Sequence, residues 1–152
     1  MNVPDLHKLL ENFQKHGVLY ILVGGQAVRL LGFNRATEDV DIVVPFDEKN
    51  GVRLIHSLEF LTSSKELDSW WFSKEANADE IQNIRVADEI VIDILFAANG
   101  ETYESLQPFV RKIEIDDLTI TTLDVDGLLK TKTGYRDKDA IDREFLMKIK
   151  KS

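Results

Sequence analysis

Residues 18–44, VLYILVGGQAVRLLGFNRATEDVDIVV, contain two apolar runs, and each adjoins a feature that an ordinary buried strand lacks. The first run is rich in branched side chains, a pattern typical of a strand buried on both faces. It ends at Gly24-Gly25, and the good helix formers that follow predict a short helix. The second run contains Asp39 and Asp41. The stretch therefore predicts a strand, a glycine turn, a helix and a second strand that carries acids.

The acids form an unusual group. Asp39 and Asp41 are two residues apart on the predicted strand, so their side chains point to the same face. Two like charges among apolar neighbours repel each other and favour a counter-cation. Asp93 likewise interrupts the apolar run of residues 90–96, where an unpaired carboxylate would be costly to bury. If the two strands are adjacent, the three acids converge as ligands suited to Mg²⁺, with substrate phosphates completing the shell.

Gly24 and Gly25 supply the other half of the pattern. After a buried strand, such a pair lets the backbone approach a phosphate closely and directs amide hydrogens towards it. Taken alone, the turn is equally compatible with a simple tight connection. An Asp-x-Asp pair taken alone is more often a solvated strand end. The combination is far less common, and it predicts a site for phosphates and metal.

The rest of the chain predicts an α/β (α+β) fold class, a mixed β-sheet with flanking helices, in a single domain over residues 1–152. No element is indicated for residues 60–82. Periodicity predicts helices over residues 5–16, 26–31 and 47–59, hairpins over residues 84–96 and 112–120, and a helix from Thr121 or Thr122 onwards.

Composition limits the classes of function. The net charge of −8 disfavours broad adhesion to nucleic acid, which depends on many Lys and Arg contacts to phosphate. The absence of cysteine excludes a disulfide framework, a thiolate metal site and a cysteine nucleophile. The sequence has neither an apolar run of about 18 residues nor the pattern of a signal peptide. We therefore expect no membrane association and a cytoplasmic location.

Basic residues near the C-terminus are candidates for binding the triphosphate. Lys132 and Arg136, four apart on a predicted helix, could neutralise it from one helical face. Asp139 follows Arg136 by three residues, so a salt-bridged helix surface is about equally compatible with this pattern. Arg35 and Thr37 precede the acids and would either contact substrate or order the loop.

Trp70 and Trp71 are adjacent in the unassigned segment. They could stack on a base, but adjacent large aromatic residues more often belong to the core and its rim. We interpret them as structural residues.

Together these motifs resemble the nucleotidyltransferase superfamily with the DNA polymerase beta type of fold. Its signature is a glycine pair, then Asp-x-Asp, then a third acid in a later strand, and the resemblance covers most of the chain. It implies that Asp39, Asp41 and Asp93 bind two Mg²⁺ or Mn²⁺ ions, and that Gly24 and Gly25 contact the triphosphate. Residues 128–142 also look like the C-terminal helical stretch of small stand-alone members such as the AbiEii-type toxins.

The resemblance implies transfer of a nucleoside monophosphate from a nucleoside triphosphate, such as ATP, to a hydroxyl acceptor with release of pyrophosphate. A tRNA end, a protein and a small molecule are all compatible as acceptors. A cognate antitoxin is the partner that toxin-like members imply. The alternative is a non-catalytic binding module of a toxin-antitoxin system. A missing acid would favour that alternative, and all three acids are present.

Overall fold

The computed structural model describes residues 3–30, 39–132 and 137–151. Within these ranges, helices flank β-strands, and short 3-10 segments join them. The helices are α1 (Val3–Lys15), α2 (Gly24–Leu30), α3 (Glu48–Ser57), α4 (Val125–Thr131) and α5 (Asp137–Lys151). The strands are β1 (Ile21–Val23), β2 (Asp39–Val43), β3 (Ile84–Ala87), β4 (Val91–Leu95), β5 (Val110–Ile115) and β6 (Leu118–Leu123).

A four-stranded mixed sheet has the order β1-β2-β4-β3. Strand β2 pairs antiparallel with β1 and parallel with β4, while β3 pairs antiparallel with β4. Strands β5 and β6 form a separate antiparallel hairpin. The predicted mixed α+β architecture is therefore confirmed. The parallel pairing of β2 with β4 brings the two acid-bearing strands side by side.

Apolar side chains from both helices and strands make one contiguous core. Helix α1 contributes its buried stripe of Leu6, Leu9, Leu10 and Phe13, the residues whose spacing predicted the helix. One face of the central strands β2 and β4 is fully buried, through Val40, Ile42, Ile92 and Ile94. The other face, which carries the acids, is more open, because Asp39, Asp41, Val91, Asp93 and Leu95 are only half-buried.

Polar contacts fix the elements around β1. In α3, the buried Asn50 side chain accepts a hydrogen bond from the Leu19 amide (2.7 Å) and donates one to the Leu19 carbonyl (3.0 Å). On the other side, the Thr122 hydroxyl of β6 donates to the Leu22 carbonyl (2.7 Å). Such bonds satisfy backbone groups that the short strand leaves unpaired, so α3 and the β5–β6 hairpin are both tied to β1.

Two expectations for local structure need correction. The helix expected from Thr121 or Thr122 does not begin there, because β6 continues through Leu123. Asp124 is the N-cap of α4, and its side chain accepts a hydrogen bond from the Gly127 amide (2.8 Å). Residues 60–82, for which no element was predicted, contain three 3-10 segments, Thr62–Glu66, Ser69–Phe72 and Glu75–Asn77.

In the described ranges, no helix is both long enough and apolar enough to cross a membrane.

Candidate active site

The candidate site is built on the pairing of β2 with β4. Asp41 lies directly opposite Asp93 in the parallel register, and Val23 of β1 lies opposite Asp41 on the other side. Asp39, two residues before Asp41, shares its face of the sheet. The two acid-bearing strands are thus neighbours, as the convergence of the acids requires.

Asp41 and Asp93 interact directly. Burial is the largest cause that raises the pKa of Asp41, from its usual 3.8 to about 7. A hydrogen bond with Asp93 and the charge of Asp93 raise this pKa further, and the charge of Asp39 adds a smaller effect. Two carboxylates this close share a proton more readily than both ionise. The pair is therefore poised to exchange a proton for a cation.

Gly24 leaves the space in which the Asp41 carboxyl lies. Its φ of +70° is one that residues with a side chain rarely adopt. A Cβ atom at this position would overlap Oδ2 of Asp41 and lie 3.0 Å from its Cγ. Gly24 is the first residue of α2, so the backbone at the start of this helix runs directly against the acid. A glycine is required here on both steric and conformational grounds.

Sequence reasoning overlooked Gln26, which follows the glycine pair. Its side chain is buried, and its Oε1 accepts a hydrogen bond from Nη1 of Arg29 (3.3 Å). Its Nε2 has no hydrogen-bond partner within the described ranges. A buried amide donor without a partner costs free energy, which marks this position beside the glycine pair as one that a ligand atom could satisfy.

Arg85 bridges the acids from β3. Its Nη1 donates to both carboxylate oxygens of Asp93 (2.9 and 3.0 Å), and its guanidinium also reaches Oδ2 of Asp39 (3.4 Å). The charge of Asp93 is the largest cause that raises the pKa of Arg85. Sequence reasoning missed this residue. The signal was present, because β3 and β4 form a hairpin in which Arg85 lies opposite Asp93.

The acids meet as pairs rather than as a group of three. Asp41 contacts Asp93, whereas Asp39 is joined to Asp93 through Arg85. In the described part of the chain, no three carboxylate or imidazole groups are arranged to hold a metal ion. Mg²⁺ is nevertheless commonly held by one or two carboxylates plus substrate phosphates. The Asp41–Asp93 pair, with its crowded oxygens and the raised pKa of Asp41, fits that donor set.

Lys132 is close to the acids, but it does not lie on a helix as predicted. It follows the last residue of α4 with an extended backbone (φ −102°, ψ 125°), so the prediction that it lies on a helical face with Arg136 is wrong. Its side chain is 6% exposed and forms a 2.8 Å ion pair with Asp142 of α5, which is fully buried. The positive charge of Lys132 also lowers the pKa of Asp41. Lys132 is thus a buried cation held beside the acids.

Three other predicted contacts to the nucleotide, Arg35, Thr37 and Arg136, lie outside the described residues.

The interpretation of Trp70 and Trp71 as core and rim is wrong. Trp70 is 51% exposed and Trp71 is 38% exposed. The buried member of this aromatic run is Phe72, which packs edge-on against Phe96 with ring centroids 5.7 Å apart. Phe72 therefore fills the core position, and both indoles are left at the surface.

Comparison with known proteins supports the fold. No protein-family model matches the sequence. No characterised protein matches it either. Among solved structures, the chain is similar to a crystal structure from Thermotoga maritima described as a "putative nucleotidyltransferase", with a TM-score of 0.57 and 16% sequence identity. The match covers 97% of this chain and 96% of the other. The chain therefore shares the fold of that protein.

Proposed function

We propose that this protein is a metal-dependent nucleotidyltransferase that transfers a nucleoside monophosphate from a nucleoside triphosphate to a hydroxyl acceptor, releasing pyrophosphate. The observation that carries the proposal is the pairing of Asp41 with Asp93 on adjacent parallel strands, with Gly24 against the Asp41 carboxyl. An acid pair with a purely structural role would destabilise the contact between the two strands, because burial and like charge both oppose ionisation of the carboxyl groups.

Asp41 and Asp93 would hold Mg²⁺ or Mn²⁺, and Asp39 would join them once Arg85 moves away to complete the two-ion site that the resemblance implies. When bound, such cations neutralise phosphate charge and lower the pKa of the attacking hydroxyl. Gly24 and Gly25 would leave room for the triphosphate beside the acids. Lys132, fixed by its ion pair with Asp142, would keep a positive charge at the site throughout. Arg35, Thr37 and Arg136 remain candidates for contacts with the nucleotide.

We further propose that the acceptor is a tRNA end, a protein hydroxyl or a small molecule, and that ATP is a donor. We also propose that the protein belongs to a toxin-antitoxin pair, with a cognate antitoxin as partner, and that it acts in the cytoplasm. The competing function is a binding module without activity, in which the acids would have no chemical role. Direct contact between two partly buried acids costs folding free energy, and a module without activity would gain nothing from it.

Labelled-nucleotide transfer tests the proposal. The protein is incubated with each of the four α-³²P-labelled ribonucleoside triphosphates, with Mg²⁺ or Mn²⁺, and with tRNA, protein or small hydroxyl compounds as acceptors. We expect label to enter one acceptor class. The double variant Asp39→Asn/Asp41→Asn should lose transfer by a factor of at least about 10³, as is common when a group that stabilises the transition state is removed.

The matched control is Asp116→Asn/Asp117→Asn, which changes the same number of charges at the β5–β6 turn, away from the site. Asn also tolerates the positive φ of Asp116 (56°). This control should retain full transfer. If the Asp39/Asp41 double variant transfers label at the parental rate, the protein is not a nucleotidyltransferase of this kind.

A further inference from the structure

The tryptophan cavity, defined here by Trp70, Trp71, Gln82, Asn83, Ile84 and Arg85, has a volume of about 430 Å³ and opens to the surface. This volume lies within the range of small-molecule sites, roughly 300–1,000 Å³. Two large indoles remain exposed here although burying them would be favourable. Exposed apolar surface that lines a concave site typically marks a place where a ligand binds.

The wall that carries the indoles is firmly anchored. Gly51 of α3 lies so close to Phe72 that a Cβ atom there would be 2.6 Å from the ring. Asn77 is buried, and its side-chain amide donates to the carbonyls of Trp71 (3.1 Å) and Ser73 (2.8 Å). The Oδ1 atom of Asn77 accepts a hydrogen bond from the backbone amide of Gln82 (2.7 Å). These bonds join the tryptophan segment to the residues that lead into β3, so the cavity is a built feature of the fold.

Arg85 connects the cavity to the candidate active site. The same side chain lines the cavity and bonds both oxygens of Asp93 at 2.9 and 3.0 Å. A molecule in the cavity would therefore lie within about one arginine side chain of the acid pair. Because β3 is the edge strand next to β4, the cavity lies on the side of the acids away from β1.

This position fits the acceptor rather than the donor. In-line displacement requires the attacking hydroxyl and the leaving pyrophosphate to lie on opposite sides of the transferred phosphorus. Gly24, proposed to lie along the triphosphate, is on the β1 side of Asp41. The acceptor hydroxyl must then approach from the β3 side, past Asp93. The tryptophan cavity lies on that side.

The lining indicates the chemistry of the ligand. Indole faces stack on planar rings, and such stacking tolerates different bases because every base has a π face. Among the described residues that line the cavity, Arg85 is the one with a charge, and its positive charge disfavours a polycationic acceptor. The side-chain amide of Gln82 and the side-chain NH2 group of Asn83 can hydrogen-bond to the edge of a heteroaromatic ring, while Oδ1 of Asn83 accepts from the Phe96 backbone amide (3.0 Å).

We propose that the tryptophan cavity binds the planar heteroaromatic ring of the acceptor, a nucleoside or nucleoside-like molecule, and presents its hydroxyl to Asp93. This inference rests on the proposed function, because it assigns the cavity to one of the two substrates of that reaction.

The protein supplies its own probe, because Trp70 and Trp71 are its only tryptophans. Indole fluorescence is titrated with adenosine, guanosine, cytidine and uridine, and with ribose and spermidine as non-aromatic and polycationic controls. The titrations are repeated with a non-hydrolysable nucleoside triphosphate and Mg²⁺ at saturation. We expect at least one nucleoside to quench the fluorescence, with or without the triphosphate, and neither control to do so. Equilibrium dialysis with labelled nucleoside gives a second readout that does not depend on fluorescence.

The variants Trp70→Leu and Trp71→Leu should each weaken nucleoside binding in dialysis by about tenfold or more. Both should keep the parental affinity for the triphosphate in calorimetry. Trp70→Phe should show an intermediate loss, which separates stacking from misfolding. Ile115→Ala removes an equally exposed apolar side chain from β5 and should change neither affinity.

Absence of nucleoside binding in both readouts would overturn the proposal. Competition between nucleoside and triphosphate would also overturn it, because the ring would then belong to the donor. If instead the proposed function is wrong, the parent protein itself will show no Mg²⁺-dependent binding of the triphosphate.

Discussion

Asp41 of β2 lies directly opposite Asp93 of β4 in a parallel register, and the pKa of Asp41 is about 7. Burial contributes most to this shift, followed by the hydrogen bond with Asp93 and its charge. Lys132 opposes the shift without cancelling it. The folded protein therefore holds a proton at Asp41 that the unfolded chain would release near pH 4.

This proton makes stability depend on pH in a direction opposite to that of a salt-bridged acid. A folded pKa above the unfolded value leaves stability intact below about pH 4, and stability is lost as pH rises to about 7. The shift from 3.8 to about 7 corresponds to roughly 4 kcal/mol of unfolding free energy, as an order of magnitude. Asp41→Asn removes this cost.

We therefore expect metal-free Asp41→Asn to be more stable than the parent at both pH 5 and pH 8, with the larger gain at pH 8, while transfer is abolished. Urea melts in EDTA at both pH values measure the difference, and Mg²⁺ with nucleotide should then stabilise only the parent. Asp116→Asn, in the exposed β5–β6 turn, is the charge-matched control and should leave transfer unchanged. A large loss of metal-free stability in Asp41→Asn would mean that this acid is structural.

Gly24→Ala tests whether the contact between Gly24 and Asp41 matters beyond backbone strain. Gly100 is the matched control, because its φ of +80° is as unfavourable for alanine but, chain neighbours aside, no atom of the described residues lies within 4 Å of its Cβ position. Both variants should lose stability of about 1 kcal/mol from the left-handed backbone. Gly24→Ala should lose more, and it alone should lose nucleotide binding in calorimetry. Equal effects of the two substitutions would contradict a role for Gly24 in shaping the site.

The sequence predicted the parts of the site that depend on local pattern. Alternation along β2 placed Asp39 and Asp41 on one face, and an acid within an apolar run identified Asp93. The neighbours of these acids come from distant segments and could not be predicted in this way. Arg85 reaches the acids through hairpin register, and Lys132 depends on where α4 ends. A helical period extended through Lys132 gave the wrong geometry because Arg143 of α5 closes the end of α4, donating to the carbonyls of Leu129 and Lys132.

The tryptophans show a second feature that local sequence patterns do not predict. Local pattern could not distinguish which aromatic residue of the run Trp70, Trp71 and Phe72 enters the core. That choice depends on the space beside Gly51 of α3 and on the ring of Phe96, both distant in sequence. Phe72 fills that space, so the larger indoles remain outside.

Arg85→Gln tests whether the guanidinium competes with a metal ion for the acids. Arg85 neutralises Asp93 and Asp39 in the place where a cation would act. A metal ion that binds Asp93 and Asp39 must first displace the Arg85 guanidinium from these carboxylates. Removing the charge of Arg85 should therefore tighten Mn²⁺ binding, measured by electron paramagnetic resonance, by about three- to tenfold. Arg53→Gln removes a cation from α3, away from the acids, and should leave Mn²⁺ affinity unchanged. Weaker Mn²⁺ binding in Arg85→Gln would show that Arg85 supports the site instead of blocking it.

The buried pair of Lys132 and Asp142 joins α5 to the site, and its disruption should be costly. Lys132→Met keeps most of the side-chain volume but leaves a fully buried carboxylate without its ammonium partner. Loss of one member of such a pair typically costs about 3–5 kcal/mol. We expect a loss of this size in urea melts. The double variant Lys132→Met/Asp142→Leu, which removes both charges, should recover much of it.

Lys132→Met should also act on Asp41, because the positive charge of Lys132 lowers the pKa of that carboxyl. Without this charge, the pKa of Asp41 should rise further, and the pH range in which the fold loses stability should extend upwards. Urea melts of the double variant from pH 4 to pH 9 measure this shift without the cost of removing the Lys132 ammonium from beside a charged Asp142. Lys130→Met is the control, because it removes the same kind of charge from a side chain whose ammonium lies over the Phe109 ring, 5.1 Å from its centroid, and is not among the charges that act on Asp41. If the double variant and the parent lose stability over the same pH range, Lys132 does not act on Asp41.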